Sequence, residues 1–284
     1  MPNVSEGVDQ SKLRAIAAAL VGLKLIDVHC DEDHGRSVFS LLGRQGTISA
    51  GLVSGARAAV ESIDVGGHQG IHPHIGSVDV CPVVYLRRED RGAACAEALV
   101  TANLLADQLN LPVFLYGELA DGRERAEIRR GGPEELSERM RTGDLKADFG
   151  PDLPHPTAGA TLVGARPPLV AFNLLLKDAP LDLAVGIATK LRESGGGLPG
   201  VRAIGLWLDS VGRAQVSCNV HDSVEVPLSA IVDFVGSRAE VASAELVGLA
   251  PEVAFAGFPS DLPIPGFDPK LHLIENVLKA DDLA

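Results

Sequence analysis

Val78-Asp79-Val80-Cys81-Pro82-Val83-Val84-Tyr85-Leu86 is almost unbroken apolar text, as expected of a strand covered on both faces. On its C-terminal side, Arg91–Leu109 is a long alanine-rich helix and residues 112–116 form another strand. On its N-terminal side, Ile48, Leu52, Ala56, Val60 and Ile63 recur at helical spacing, with Thr47 and Ser49 near the start as caps. Arg36–Leu42 and residues 24–30 read as two strands joined by the polar turn 31–35. Leu13, Ile16, Ala17 and Leu20 mark one face of a helix over residues 11–21. The order helix, strand, strand, helix, strand, helix, strand predicts an α+β fold, a split β-α-β sheet with helices packed on one face.

From residue 122 to 156 the text turns charged, with Arg123, Arg125, Arg129, Arg130, Glu134 and Glu135. This predicts a surface excursion with one or two short helices. The pattern then restarts: strands at 161–165 and 169–176, a helix at 181–193, a hairpin of 203–209 and 214–220, a helix at 228–241, and a strand at 245–249. Two tandem modules are therefore expected, residues 1–167 and 168–284, meeting near Arg166-Pro167-Pro168. The Pro263-Ile264-Pro265-Gly266 stretch reads as a wrapping tail before a short helix at 271–279.

Composition narrows the function. Net charge is −13, from 25 basic and 38 acidic residues, so neither nucleic acid nor an anionic membrane is an expected partner. No apolar run reaches the roughly 20 residues of a membrane helix. Met1-Pro2-Asn3-Val4-Ser5 lacks the basic and apolar regions of a signal peptide, which predicts a cytoplasmic protein. Cys30, Cys81, Cys95 and Cys218 show no paired spacing and read as apolar thiols, neither a metal framework nor a disulfide one.

The chemistry concentrates in His68-Gln69-Gly70-Ile71-His72-Pro73-His74, which holds three of the eight histidines. Glycine and proline exclude a helix there, and imidazole is the side chain best matched to proton transfer near neutral pH. Pro73 biases His72 toward an extended backbone. In residues 159–166, Gly159 and Gly164 permit close backbone approach, and Arg166 suits bidentate pairing with a carboxylate. Gln215, Ser217 and Asn219 alternate and so share one strand face.

Several segments together resemble the formiminotransferase domain of glutamate formiminotransferases. They are Pro2-Asn3-Val4-Ser5-Glu6-Gly7, Ile63-Asp64-Val65, His72-Pro73 with Gly76, Asp79-Val80-Cys81-Pro82 and Pro112 through Gly117. Asp148-Phe149-Gly150-Pro151, Gly159 through Arg166, Ala171-Phe172-Asn173, Ala214-Gln215-Val216-Ser217 with Asn219, and Glu245 through Pro251 complete the set. The resemblance implies two ferredoxin-like subdomains flanking a ligand tunnel, and a homodimer. It implies transfer of a formimino (or formyl) group from N-formiminoglutamate to tetrahydrofolate as co-substrate, with His72 as acid–base residue. It also implies folate or substrate contacts from Gly159, Ala160, Thr161, Gly164, Ala165, Arg166, Arg36, Gln215 and Asn219.

The chain departs from the family pattern near His72. The family usually has Asp at His29, Asn at Gly35, Glu at Ile71 and Arg at His74. Asp31, Asp33 and Arg36, with His29 and His74 themselves, are the nearby replacements. Because the chain starts at Met1-Pro2, most of the family's first strand is expected to be absent: either the start is placed late or an edge strand is lost. These departures favour two alternatives: a divergent paralogue that binds a pterin-like ligand or a partner without transfer, or a metal-dependent hydrolase using His72 and His74 with His29, Asp31 and His34.

Overall fold

The computed structural model describes residues 1–280, so residues 281–284, the end of the second expected module, lie outside it. The chain divides into two compact units, Met1–Pro167 and Pro168–Ala284.

The first unit runs β1 (Asn3–Val4), α1 (Gln10–Ala19), β2 (Lys24–Asp31), β3 (Arg36–Leu42), α2 (Ile48–Ser62), β4 (Val78–Val84), α3 (Arg91–Leu109), β5 (Val113–Leu115), α4 (Arg125–Ile128), α5 (Gly132–Thr142) and β6 (Thr161–Arg166). The sheet order is β2-β3-β1-β4-β6-β5. Its first four strands are antiparallel and have the ferredoxin-like arrangement; β6 and β5 extend the sheet in parallel beside β4. The expected loss of an edge strand is corrected here. β1 is only two residues long, but it pairs with both β3 and β4 and is central. Residues 161–166 form β6 and belong to this first sheet.

Helices α1 to α3 cover one face over a core that includes Val4, Phe39, Leu52, Val83, Leu105 and Val163. Asp9 caps α1, accepting from the amides of Ser11 and Lys12. The 122–156 segment is not merely a surface excursion. Ile128, Leu136 and Met140 from α4 and α5 pack on Val80, Phe114 and Leu162, covering the other face of β4, β5 and β6. Burying three such side chains stabilises this cover by roughly 1.5–3 kcal/mol each.

The second unit runs β7 (Val170–Leu176), α6 (Leu181–Leu191), β8 (Val201–Leu208), β9 (Arg213–Val220), α7 (Leu228–Gly236), β10 (Val241–Val247), α8 (Pro269–His272) and α9 (Ile274–Ala280). The order β10-β7-β9-β8, all antiparallel, repeats the ferredoxin-like arrangement. Helix α7 stops at Gly236, short of the expected residue 241, because Val241 onward alternates as a strand and pairs with β7. The tail wraps as expected. Phe255 stacks on Phe267 at 4.8 Å, Phe258 meets Phe172 edge-on at 6.0 Å, and the Ala244 amide donates to Pro263. Among the described residues no helix is long and apolar enough to cross a membrane.

Candidate functional site

Strand alternation sets the site in the first unit. Val4 and Phe39 face helices α1 to α3, so Asn3 and Arg36 point to the opposite face. Asn3 pairs with Val80 and Val4 with Val78, leaving Asp79 as an extra residue. This β-bulge turns the Asp79 carboxylate onto the face that carries Arg36.

Asp79 is fully buried and highly engaged. Its Oδ1 accepts from the Ile75 amide at 3.0 Å and from Arg129 Nε at 3.3 Å. Its Oδ2 accepts from Arg36 Nη1 at 2.6 Å and from Arg129 Nη2. Burial pushes the carboxyl pKa up, but the guanidinium groups of Arg129 and Arg36 outweigh it and hold the group below the usual carboxylate range. Arg36 also donates from Nε and Nη2 to Asn3 Oδ1 at 3.1 and 2.8 Å. Burial lowers its pKa to about 10, against the opposing pull of Asp79.

His72 stands on this mount. Its Nδ1 lies 3.2 Å from Arg36 Nη1 and 2.8 Å from the Pro73 carbonyl. One nitrogen cannot accept from the first and donate to the second. The shorter contact needs a proton on Nδ1, and that tautomer leaves Nε2 with the lone pair. Burial, then the positive charges of Arg36 and Arg129, depress the His72 pKa well below 6.5.

The loops around His72 interlock. The His72 and Ile71 amides donate to the carbonyls of His34 and Asp33 at 3.4 and 3.0 Å. A Cβ on Gly70 would lie 2.2 Å from the His34 carbonyl, and one on Gly35 (φ +61°) would lie 2.6 Å from the His68 ring. Asp31 receives the His34 amide at 2.8 Å. His74 pairs with His68, ring centroids 4.0 Å apart, and its Nδ1 lies 3.4 Å from the His72 carbonyl oxygen. Among the described residues no group of three metal-ligating side chains includes His72 or His74, and the guanidinium beside His72 opposes a cation there.

The segment Gly159 to Arg166 divides by role. Gly159 (φ +67°) is in close backbone contact with Ile75, where a Cβ would sit 2.1 Å from the carbonyl. The side chains of Ala160, Thr161 and Ala165 are buried, so any ligand contact from them is through backbone. A Cβ on Gly164 would lie 2.8 Å from the Tyr116 ring, so this glycine seats Tyr116. Only Arg166 offers a cationic group; its Nη1 donates to Pro167 at 2.9 Å. Burial lowers its pKa to about 10.

His29 and Asp31 pair across strands with Val38 and Arg36 and therefore share the Arg36 face. Gln215, Ser217 and Asn219 belong to the second unit. Together with Asn173 and Glu245, which are joined at 2.8 Å, they form the polar face of its sheet, opposite Phe172, Val216 and Cys218.

Residues 1–166 match the N-terminal subdomain of the formiminotransferase domain, and residues 171–257 match the formiminotransferase domain. The chain belongs to the formiminotransferase family. It is 35% identical over 290 residues to the glutamate formimidoyltransferase of Streptococcus pyogenes serotype M1, covering 98% of this chain and 97% of that one. The glutamate formimidoyltransferase of Thermoplasma acidophilum is 30% identical, covering 89% of this chain and 88% of that one. The formimidoyltransferase-cyclodeaminase of Sus scrofa is 35% identical over the whole of this chain, which spans 57% of that longer relative.

Within this formiminotransferase chain, sequence reasoning missed Asp79, Arg129, Arg125 and Tyr116. One signal was available: an acid inside the apolar run 78–86 needs a buried partner. The arginines of 123–130 looked like an ordinary solvated charge run, and nothing in their spacing assigns Arg129 to Asp79.

Proposed function

We propose that the chain transfers a formimino group from N-formiminoglutamate to tetrahydrofolate, releasing glutamate, with His72 as the acid–base residue. The observation that carries this reading is the His72 imidazole held 3.2 Å from Arg36, which Asp79 in turn fixes. An amine nitrogen of the folate attacks the amidine carbon and a carbon–nitrogen bond forms. His72 Nε2 takes the proton of that nitrogen. The imidazolium, weakened as a base by burial and Arg36, is a correspondingly strong acid and returns the proton to the glutamate nitrogen as its bond to carbon breaks. Such proton transfer contributes about 10²- to 10⁴-fold.

The departures at Ile71 and His74 leave the site with charge of both signs. Asp79 supplies a fixed carboxylate, and Arg36, Arg125, Arg129 and Arg166 supply guanidinium groups suited to a dicarboxylate donor. Gln215 and Asn219 enter this reading as substrate or folate ligands, His29 and Asp31 as polar neighbours of Arg36. Family resemblance supports a ligand tunnel and a homodimer as the working unit, and a cytoplasmic location belongs to the same proposal; sedimentation checks the dimer.

The test is stoichiometric. Purified protein with both substrates should release one glutamate for each formimino group gained by tetrahydrofolate. Folded protein that releases none would sink the transferase reading and favour the ligand-binding paralogue.

A further inference from the structure

Arg36 and Arg129 both form ion pairs with Asp79, which leaves the three groups with a net positive charge. Two neighbouring guanidinium groups form no ion pair. Arg125 lies one helical turn before Arg129 on α4, with its guanidinium carbon 5.5 Å from the centre of the Tyr116 ring. Among the described residues it makes no salt bridge or hydrogen bond. Arg166 also neighbours Tyr116; its Nε and the Tyr116 hydroxyl are buried and make no well-formed hydrogen bond, although the two side chains lie close enough to interact with each other. Buried donors without a well-formed hydrogen bond cost roughly 1–3 kcal/mol each, so a fold that keeps two of them side by side calls for an external acceptor. Each group on this patch is a donor, and two are permanently charged. A carboxylate is the acceptor that matches such a pair bidentately.

We propose that Arg125, Tyr116 and Arg166 form a subsite for a glutamyl carboxylate, with Arg125 as its specificity-determining cation. This rests on the transferase reading for its choice of ligand, since both substrates carry a glutamyl group: the donor itself and the tail of the folate. Arg125 serves binding, not the chemical step, because Arg36 and Asp79 already hold His72.

The experiment measures KM for each substrate, and calorimetric binding of L-glutamate and p-aminobenzoyl-glutamate, in wild type, Arg125→Gln, Arg125→Lys and Tyr116→Phe. Loss of a charge-assisted contact should weaken one glutamyl ligand by roughly 10- to 100-fold in Arg125→Gln, with partial recovery in Arg125→Lys. The loss should appear in KM more than in kcat, as expected for a contact made alike in ground and transition states. Tyr116→Phe should weaken the same ligand with little change in melting temperature, because the hydroxyl makes no well-formed hydrogen bond in the unliganded fold. Effects confined to formiminoglutamate and L-glutamate assign the donor; effects confined to tetrahydrofolate and p-aminobenzoyl-glutamate assign the folate tail. Unchanged affinities for both probes in Arg125→Gln and Tyr116→Phe would overturn the subsite, as would a wild type that binds neither. Wild type that binds a probe without turning over would retain the subsite and refute the transferase reading.

Discussion

Arg36 and Arg129 converge on the same oxygen of Asp79, and Arg36 alone of the pair also reaches His72. One fully buried carboxylate therefore fixes the charge environment of the imidazole. The bulge at Asp79 is what permits it, because a regular strand would turn that side chain toward helices α1 to α3.

Removing the carboxylate should be costly. Asp79→Ala strands two guanidinium groups in the sheet, and breaking a buried ion pair from one side costs about 3–5 kcal/mol. Urea unfolding should show that loss; a change under 1 kcal/mol would mean the arginines find other acceptors.

Acid should destabilise the protein in two stages. The folded His72 pKa is depressed, so the neutral ring contributes stability present above about pH 6.5 and lost as pH falls toward the folded value. Asp79 is also depressed, and its contribution is lost below about pH 3.8. Replacing His72 with Gln should shrink the first stage of a melting-temperature profile, leaving the shares of His68 and the Met1 amino group, whose pKa values burial also lowers, and leave the second unchanged.

Activity should follow the same electrostatics. The acid limb of kcat/KM should lie below pH 6.5 and move upward in Arg36→Met, which removes a positive charge 3.2 Å from the ring. An unmoved limb would show that another group titrates.

Gly70→Ala places a methyl 2.2 Å from the His34 carbonyl. Backbone cannot yield as a side-chain tip does, so the variant should lose roughly 1–3 kcal/mol and most of its turnover. Gly67→Ala, with nothing within 4 Å, is the control and should lose neither.

The fold was legible where periodicity speaks: α3 and β3 fall at the expected bounds, and Gln215, Ser217 and Asn219 do share a face. It was less legible where tertiary contact decides. Ile128, Leu136 and Met140 sit in short, highly charged helices whose apolar residues are too sparse to announce a core. The two-residue β1 exists only because β3 and β4 close around it. In the site, His72 and Arg36 stood out by type and setting. Arg129 did not, because its partner lies fifty residues away and local text carries no trace of the pairing. The glycine-rich segment misled in the other direction: Gly159 and Gly164 answer to Ile75 and Tyr116 within the chain.

The most direct test of His72 is single-turnover transfer to tetrahydrofolate by wild type beside His72→Ala, with both folded by circular dichroism and saturated with formiminoglutamate. The account predicts that the rate of formimino transfer falls by about 10²- to 10⁴-fold. A His72→Ala rate within threefold of wild type would contradict it and move the proton-transfer role to another residue.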